Sequence, residues 1–248
     1  MIRYARWDGG RIHVVKGILS SWPYIIEPDE IQAALDWYDD STIPLIEQAA
    51  VNWIWVTWSV GFPPEDEAHQ QRELERYIAR CHERGVRVTA YVSLTNAFPA
   101  AWRRRGRVID GWLQRDAQGR AIPYGAVTYA GEPTRHLVCL RQPAWLAYLR
   151  QGARSAVDAG VDGILYDNVG AGCQCERCES AFRTYAHQVA GRDFDRLPDF
   201  GHTSIGIVDK VQRVVGVKPA GPRPDEQAGW LWRRFIDDSL AEAFEGLA

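Results

Sequence analysis

Apolar positions along this chain follow two periods, and the two alternate. Ile12–Leu19, Val51–Trp58 (VNWIWVTW), Val86–Leu94 and Val161–Tyr166 are short, mostly apolar runs rich in β-branched and aromatic residues. Runs of that length and composition predict strands buried on both faces of a parallel sheet. Between them the period lengthens to that of a helix. Ser41 or Thr42 can cap a helix reaching about Ala50, with Pro44 in its first turn. Glu65–Arg84 places Leu74, Tyr77, Ile78 and Cys81 on one face and stops at Gly85. Pro143 suits a first helical position, and Trp145, Leu146, Leu149, Ala153, Ala156 and Val157 then recur at three- and four-residue steps until Gly160. Glu176–Val189, with Phe182 and Tyr185 inward, and Trp230–Leu247 complete the helices. Strand and helix alternating in this way predict a parallel α/β sheet with right-handed crossovers.

Two stretches break the rhythm. Ala97–Arg135 is a long excursion after the third strand. It holds Trp102, the run Arg103–Arg104–Arg105, Asp110–Gly111–Trp112, a hairpin signal at Asp116–Gly119, and Tyr124 and Tyr129. Its aromatics either wall a substrate cleft, since long βα loops on one barrel face build specificity, or form a small core of the loop's own. The arginine run reads as a solvated helix face. Residues 191–227 are rich in Gly, Pro and Asp with weak periodicity, leaving room for one short helix around Ile207–Val215. The count is therefore four strands with their helices plus one more helix. A TIM-type (β/α) barrel needs eight strands, so residues 1–248 predict one barrel-type domain containing its N-terminal half. Its open edges would be covered by a second copy, by the Gly191–Gln227 loop or by the remainder of a longer chain.

The chemistry concentrates after the fourth strand. Asp167 and Asn168 are the first polar residues past Val161–Tyr166, the place where α/β sheets and barrels carry their sites. Next come Cys173, Cys175 and Cys178 in a C-x-C-x-x-C pattern, with Cys139 just before the preceding helix. A helix and its return strand bring Cys139 back to the same side of the sheet. Four thiolates so spaced suit a structural, tetrahedral Zn²⁺ site, with Cys178 in the first turn of the next helix, where the dipole favours a thiolate. The alternatives are free thiols or a redox pair, the latter crowded by a third cysteine. Cys81, on an apolar helical stripe, reads as a core residue.

The run C-L-x-x-P, helix, G-V-D-G-I-x-x-D-N, C-x-C-x-x-C and A-F, over about residues 136–185, resembles glycoside-hydrolase barrels related to the family 42 β-galactosidases and a hypothetical glycosyl-hydrolase group allied to them. The resemblance implies structural zinc on Cys139, Cys173, Cys175 and Cys178, and a final helix leading into a fifth strand. It also exposes a departure: family 42 enzymes carry a catalytic glutamate directly after this Asp-Asn, where the present chain has Val169. Asp167 remains, placed like the strand-end nucleophile of α-galactosidase-like barrels. Two function classes follow. One is a glycoside hydrolase using Asp167 as nucleophile or second carboxylate, with Glu132, Asp110 and Glu27 as in-chain candidates for the other acid. The alternative is a non-catalytic carbohydrate-binding or assembly module stapled by zinc. Trp22, Trp58, Asn96, Trp102, Trp112 and Asn168 are the candidate substrate-binding residues.

Composition adds limits. A net charge of −3 gives no reason to expect nucleic acid or an anionic membrane. Met1–Gly10 lacks the apolar segment of a secretory signal, and no run reaches the roughly 18 apolar residues of a membrane span. Five cysteines, four in a metal-like pattern, suit a reducing compartment, and cytoplasm is the expectation. The 11 tryptophans and 10 tyrosines supply flat faces on which sugars stack, or simply core.

Overall fold

The computed structural model describes residues 4–6, 38–124, 128–129, 132–133, 135–170, 172–195 and 226–247. Four strands, β1 (Tyr4–Arg6), β2 (Trp53–Ser59), β3 (Arg87–Ser93) and β4 (Gly163–Asp167), form one sheet in that order with every pairing parallel. Among the described residues the helices around it are α1 (Ile43–Gln48), α2 (Pro64–Glu83), α3 (Pro143–Asp158), α4 (Glu176–Ala190) and α5 (Glu226–Glu245), with one further short helix, Pro99–Arg104, inside the insertion.

Alternation along the strands decides where the helices lie. Ile54 and Val56 of β2 and Val88, Ala90 and Val92 of β3 share one buried cluster with Ile43 and Ile46 of α1. The same cluster holds Leu74, Tyr77, Ile78 and Cys81 of α2 and Trp145, Leu149 and Ala156 of α3. α1, α2 and α3 therefore pack on one face, whereas a doubly wound sheet would split such helices between two. The short helix Pro99–Arg104 of the insertion instead sends Ala101 into the cluster of Trp55 and Tyr91. The opposite face carries Trp55, Thr57, Thr89, Tyr91 and Ser93, with Trp55 and Tyr91 stacked at 5.1 Å. Sequential strand order with helices on one side is an arrangement that barrel walls share. Among the described residues the sheet stays an open, four-stranded wall and does not close.

Several sequence expectations are corrected. The strand beside β2 is Tyr4–Arg6, inside the polar opening segment; Ile12–Leu19 lies outside the described residues, as do Trp22, Glu27 and Ile207–Val215. Thr42 is the N-cap of α1, as expected, though its side chain makes no capping bond; the preceding turn is capped by Asp39, whose carboxylate accepts from Ser41 N at 2.8 Å. The fourth strand is not buried on both faces: Leu165 and Asp167 are exposed, because β4 has a neighbour on one side only among the described residues. Helix bounds otherwise fall within a few residues of those read from periodicity.

The insertion after β3 folds back on the sheet. Residues 96–97 pair antiparallel with 136–137, and Asp116 closes its hairpin by accepting from Gln118 N and Arg120 N at 2.9 and 2.8 Å. A second core lies under α5, where Leu231, Trp232, Phe235 and Ile236 meet Phe182 and Ala186 of α4 and three of the cysteines. Among the described residues no helix is long and apolar enough to cross a membrane.

Candidate active site and thiol cluster

β3 and β4 end side by side, and their ends build the candidate active site. Ser93 pairs with Asp167, and Leu94 N donates to Asp167 O at 2.8 Å. Asp167 is exposed. Asn168 turns the chain away with φ +56°, left-handed for a residue with a side chain. Its amide is fully engaged. Nδ2 donates to Tyr91 Oη at 2.5 Å and Ser93 Oγ at 3.2 Å, while Oδ1 accepts from Tyr124 Oη at 2.8 Å. Ser93 Oγ spends its one proton on Asn96 Oδ1 and so can only accept from Asn168, which puts the amide nitrogen at that end.

Burial, then the nearby Asp167 charge, raises the Tyr91 phenol above its usual range. Tyr124 is also raised, chiefly by burial, while Arg135, whose guanidinium lies 4.7 Å over the Tyr124 ring, pulls the other way. The polar chain continues inward from Ser93 Oγ to Asn96 Oδ1 at 2.6 Å and from Asn96 Nδ2 to Val60 O at 3.0 Å. An exposed carboxylate bordered by two phenols, an amide and a guanidinium can hold a polyhydroxylated ligand by many weak polar contacts.

The structure does not gather every predicted site residue there. Trp58 turns toward the helices and donates to Ser155 Oγ at 3.0 Å. Asn96 is buried and spent on Ser93 and Val60. Trp102 is buried, edge-on to Trp112 at 5.3 Å and to Tyr148 of α3 at 5.6 Å. These two insertion aromatics therefore pack into the main core between sheet and helices, neither walling a cleft nor forming a core of the loop's own. Tyr124 is the insertion aromatic that reaches Asn168. Asp110 is exposed near Arg103, and only the backbone of Glu132 and Tyr129 is described. Reasoning from sequence missed Tyr91, Ser93 and Arg135. The first two had a signal: they alternate with Val88, Ala90 and Val92, which puts them on the face opposite the helices.

It also missed Glu67. This carboxylate is wholly enclosed at the β2–α2 turn and accepts from Val60 N at 2.8 Å, Phe62 N at 3.3 Å and Ser59 Oγ at 2.8 Å, with the Tyr148 hydroxyl at 3.2 Å. Burial lifts its pKa to about 7 against the pull of those donors. The same turn needs Gly61, which sits at φ +100° and whose Cβ would fall 1.9 Å from Asn96 O.

The thiols of Cys139, Cys173, Cys175 and Cys178 all lie within 4.8 Å of one another. Cys139 Sγ is 3.4 Å from Cys178 Sγ and 3.9 Å from Cys175 Sγ. Sulfurs about 2.3 Å from a tetrahedral ion stand about 3.8 Å apart, so the spacing fits one ion, whereas a disulfide needs about 2.05 Å. All five cysteines of the chain are free. Backbone N–H groups of Arg115 and Cys175 point at Cys173 Sγ, each at 3.4 Å, an arrangement that suits a thiolate. Without a cation the four cannot all ionise together: hydrogen bonds among them hold Cys173 and Cys175 low and push Cys139 and Cys178 up. The cluster therefore could hold a metal ion.

Fold and site together define a barrel-type α/β wall with a strand-end carboxylate and a four-thiol cluster. No protein-family model matches the chain, and no curated relative does. Solved structures similar to it include a maltogenic α-amylase from Thermotoga neapolitana (13% identity, TM-score 0.41, covering 55% of this chain and 36% of that one). Others are an α-galactosidase from Thermus thermophilus in complex with stachyose (18%, TM-score 0.36, 51% and 28%) and an α-amylase from Geobacillus thermoleovorans complexed with acarbose (11%, TM-score 0.37, 52% and 33%). The chain spans roughly a third of the length of these structures.

Proposed function

We propose that the chain is a glycoside hydrolase acting through Asp167. The observation that carries the reading is the Asp167–Asn168 end of β4, an exposed carboxylate at the C-terminal end of a parallel strand, ringed by Tyr91, Ser93 and Tyr124. As nucleophile, Asp167 would bond to the anomeric carbon while the glycosidic C–O bond breaks and a second carboxylic acid protonates the leaving oxygen. Water would then release the sugar. That mechanism needs the second carboxyl about 5–5.5 Å away. Asp167→Asn tests the role on any chromogenic glycoside that the purified chain hydrolyses. The variant should fold normally and lose about 10⁴-fold or more in kcat; near wild-type turnover would remove Asp167 as nucleophile.

Val169 favours a second reading. It packs against the core at the position where the resembling family has its acid, which suits a module that binds carbohydrate without cleaving it. Binding of a glycoside without turnover would select that reading.

For the cluster we propose Zn²⁺ held by Cys139, Cys173, Cys175 and Cys178. Four thiolates saturate such an ion, so its contribution is structural and Asp167 chemistry does not pass through it. The free edge of β4 we assign to a second copy of the chain, since an unpaired strand edge recruits another strand.

A further inference from the structure

One hydroxyl holds the turn that follows β4. Thr95 is fully buried; its Oγ1 donates to Asn168 O and accepts from Gly170 N at 2.7 Å. Its carbonyl accepts from Val138 N at 2.6 Å, beside Cys139. One residue at the end of β3 thus binds both arms of the Asn168 turn and the segment leading to α3.

The conformation it holds is one the chain would not adopt unaided. Asn tolerates the left-handed region better than most residues, yet such a φ still costs about 1 kcal/mol or more when nothing enforces it. At Gly170 a Cβ would come 2.4 Å from Leu137 Cδ2, so the turn is pressed against its neighbour and has no room to relax that way. Gln114 braces the same place, its Nε2 donating to Gly170 O at 2.6 Å and Val138 O at 3.1 Å. Were Asn168 to leave φ +56°, its side-chain amide would swing off Tyr91, Ser93 and Tyr124, and the carboxylate one residue earlier would turn with the shared peptide.

We propose that Thr95 is a positioning residue of the Asp167–Asn168 site, acting through its hydroxyl to keep Asn168 left-handed. The proposal rests on the reading of that strand end as the functional site, and its test is separable from that reading. Thr95→Val keeps the shape and removes the hydroxyl; Thr95→Ser keeps the hydroxyl. By NMR of the full, metal-loaded chain, Thr95→Val should shift the Asn168 side-chain amide resonances and speed exchange of the Gly170 amide about 10-fold or more. The Val56 and Val88 amides should stay as protected as in wild type, and Thr95→Ser should match wild type throughout. On a hydrolysed glycoside, kcat should fall about 10-fold in Thr95→Val and return within about 2-fold in Thr95→Ser. The proposal is overturned if Thr95→Val leaves the Asn168 and Gly170 signals unchanged, or if Thr95→Ser fails alongside it. Should Thr95→Val not fold, Thr95→Ala replaces it, and wild-type coupling constants that place Asn168 outside the left-handed region overturn the proposal without any variant. If no glycoside is turned over, the hydrolase reading falters while the NMR comparison still decides Thr95.

Discussion

At the scale of single residues, hydrogen-bond supply separates the two notable carboxylates. Asp167 is exposed and free to meet a ligand, whereas Glu67 is enclosed by two backbone N–H groups and two hydroxyls at the β2–α2 turn. Burial dominates there and raises the Glu67 pKa from 4.5 to about 7. The folded chain then holds this proton more tightly than the unfolded chain. The stabilisation is complete below about pH 4.5 and is lost as pH rises through about 7. Glu67→Gln, which cannot titrate, should gain on wild type by about 3 kcal/mol across that window in urea melts at stepped pH. A constant difference between the two at every pH would show that the Glu67 pKa does not change on folding, and a difference of the opposite slope that the donors outweigh burial.

At the scale of elements, the cysteines join three that the sheet alone leaves loosely connected. Cys139 precedes α3, Cys173 follows β4, and Cys178 sits in the first turn of α4; the insertion joins through the Arg115 N–H aimed at Cys173. α5 packs over this knuckle, so an ion held by the four thiols would brace it together with the apolar burial. One zinc per chain is the expected stoichiometry by metal analysis, with thiols that react only after denaturation. Cys178→Ser should abolish binding. Chelation should cost about 4 kcal/mol of stability if free metal stands a thousandfold above its Kd. A zinc-free chain of unchanged melting temperature would remove the metal from the account.

At the scale of the molecule, the sheet is a wall with one finished face. Its helix side is closed by α1, α2 and α3, while β4 has no second neighbour among the described residues and carries the exposed Leu165. Sedimentation should show reversible self-association, weakened by Leu165→Lys, because a charge on that strand opposes edge pairing. A stable monomer at all concentrations would count against a second copy on that edge.

The order of strands and helices was legible in the sequence because it depends on local period. Val86–Leu94 and Glu65–Arg84 bury one face each whatever surrounds them, and the observed elements match within a residue or so. The thiol cluster was legible too, since short spacing and one βα return suffice to bring four cysteines together. Tyr4–Arg6 was not, being three residues in a polar segment with no period to detect. Nor could sequence divide the insertion aromatics, sending Trp102 into a core against Tyr148 and Tyr124 to Asn168. Such choices follow from which surfaces meet across tens of residues. For the same reason the Asn168 conformation, the latch at Thr95 and the enclosure of Glu67 belong to the tertiary structure. Each depends on hydrogen bonds from segments distant in sequence or on burial by them, and no local pattern records those.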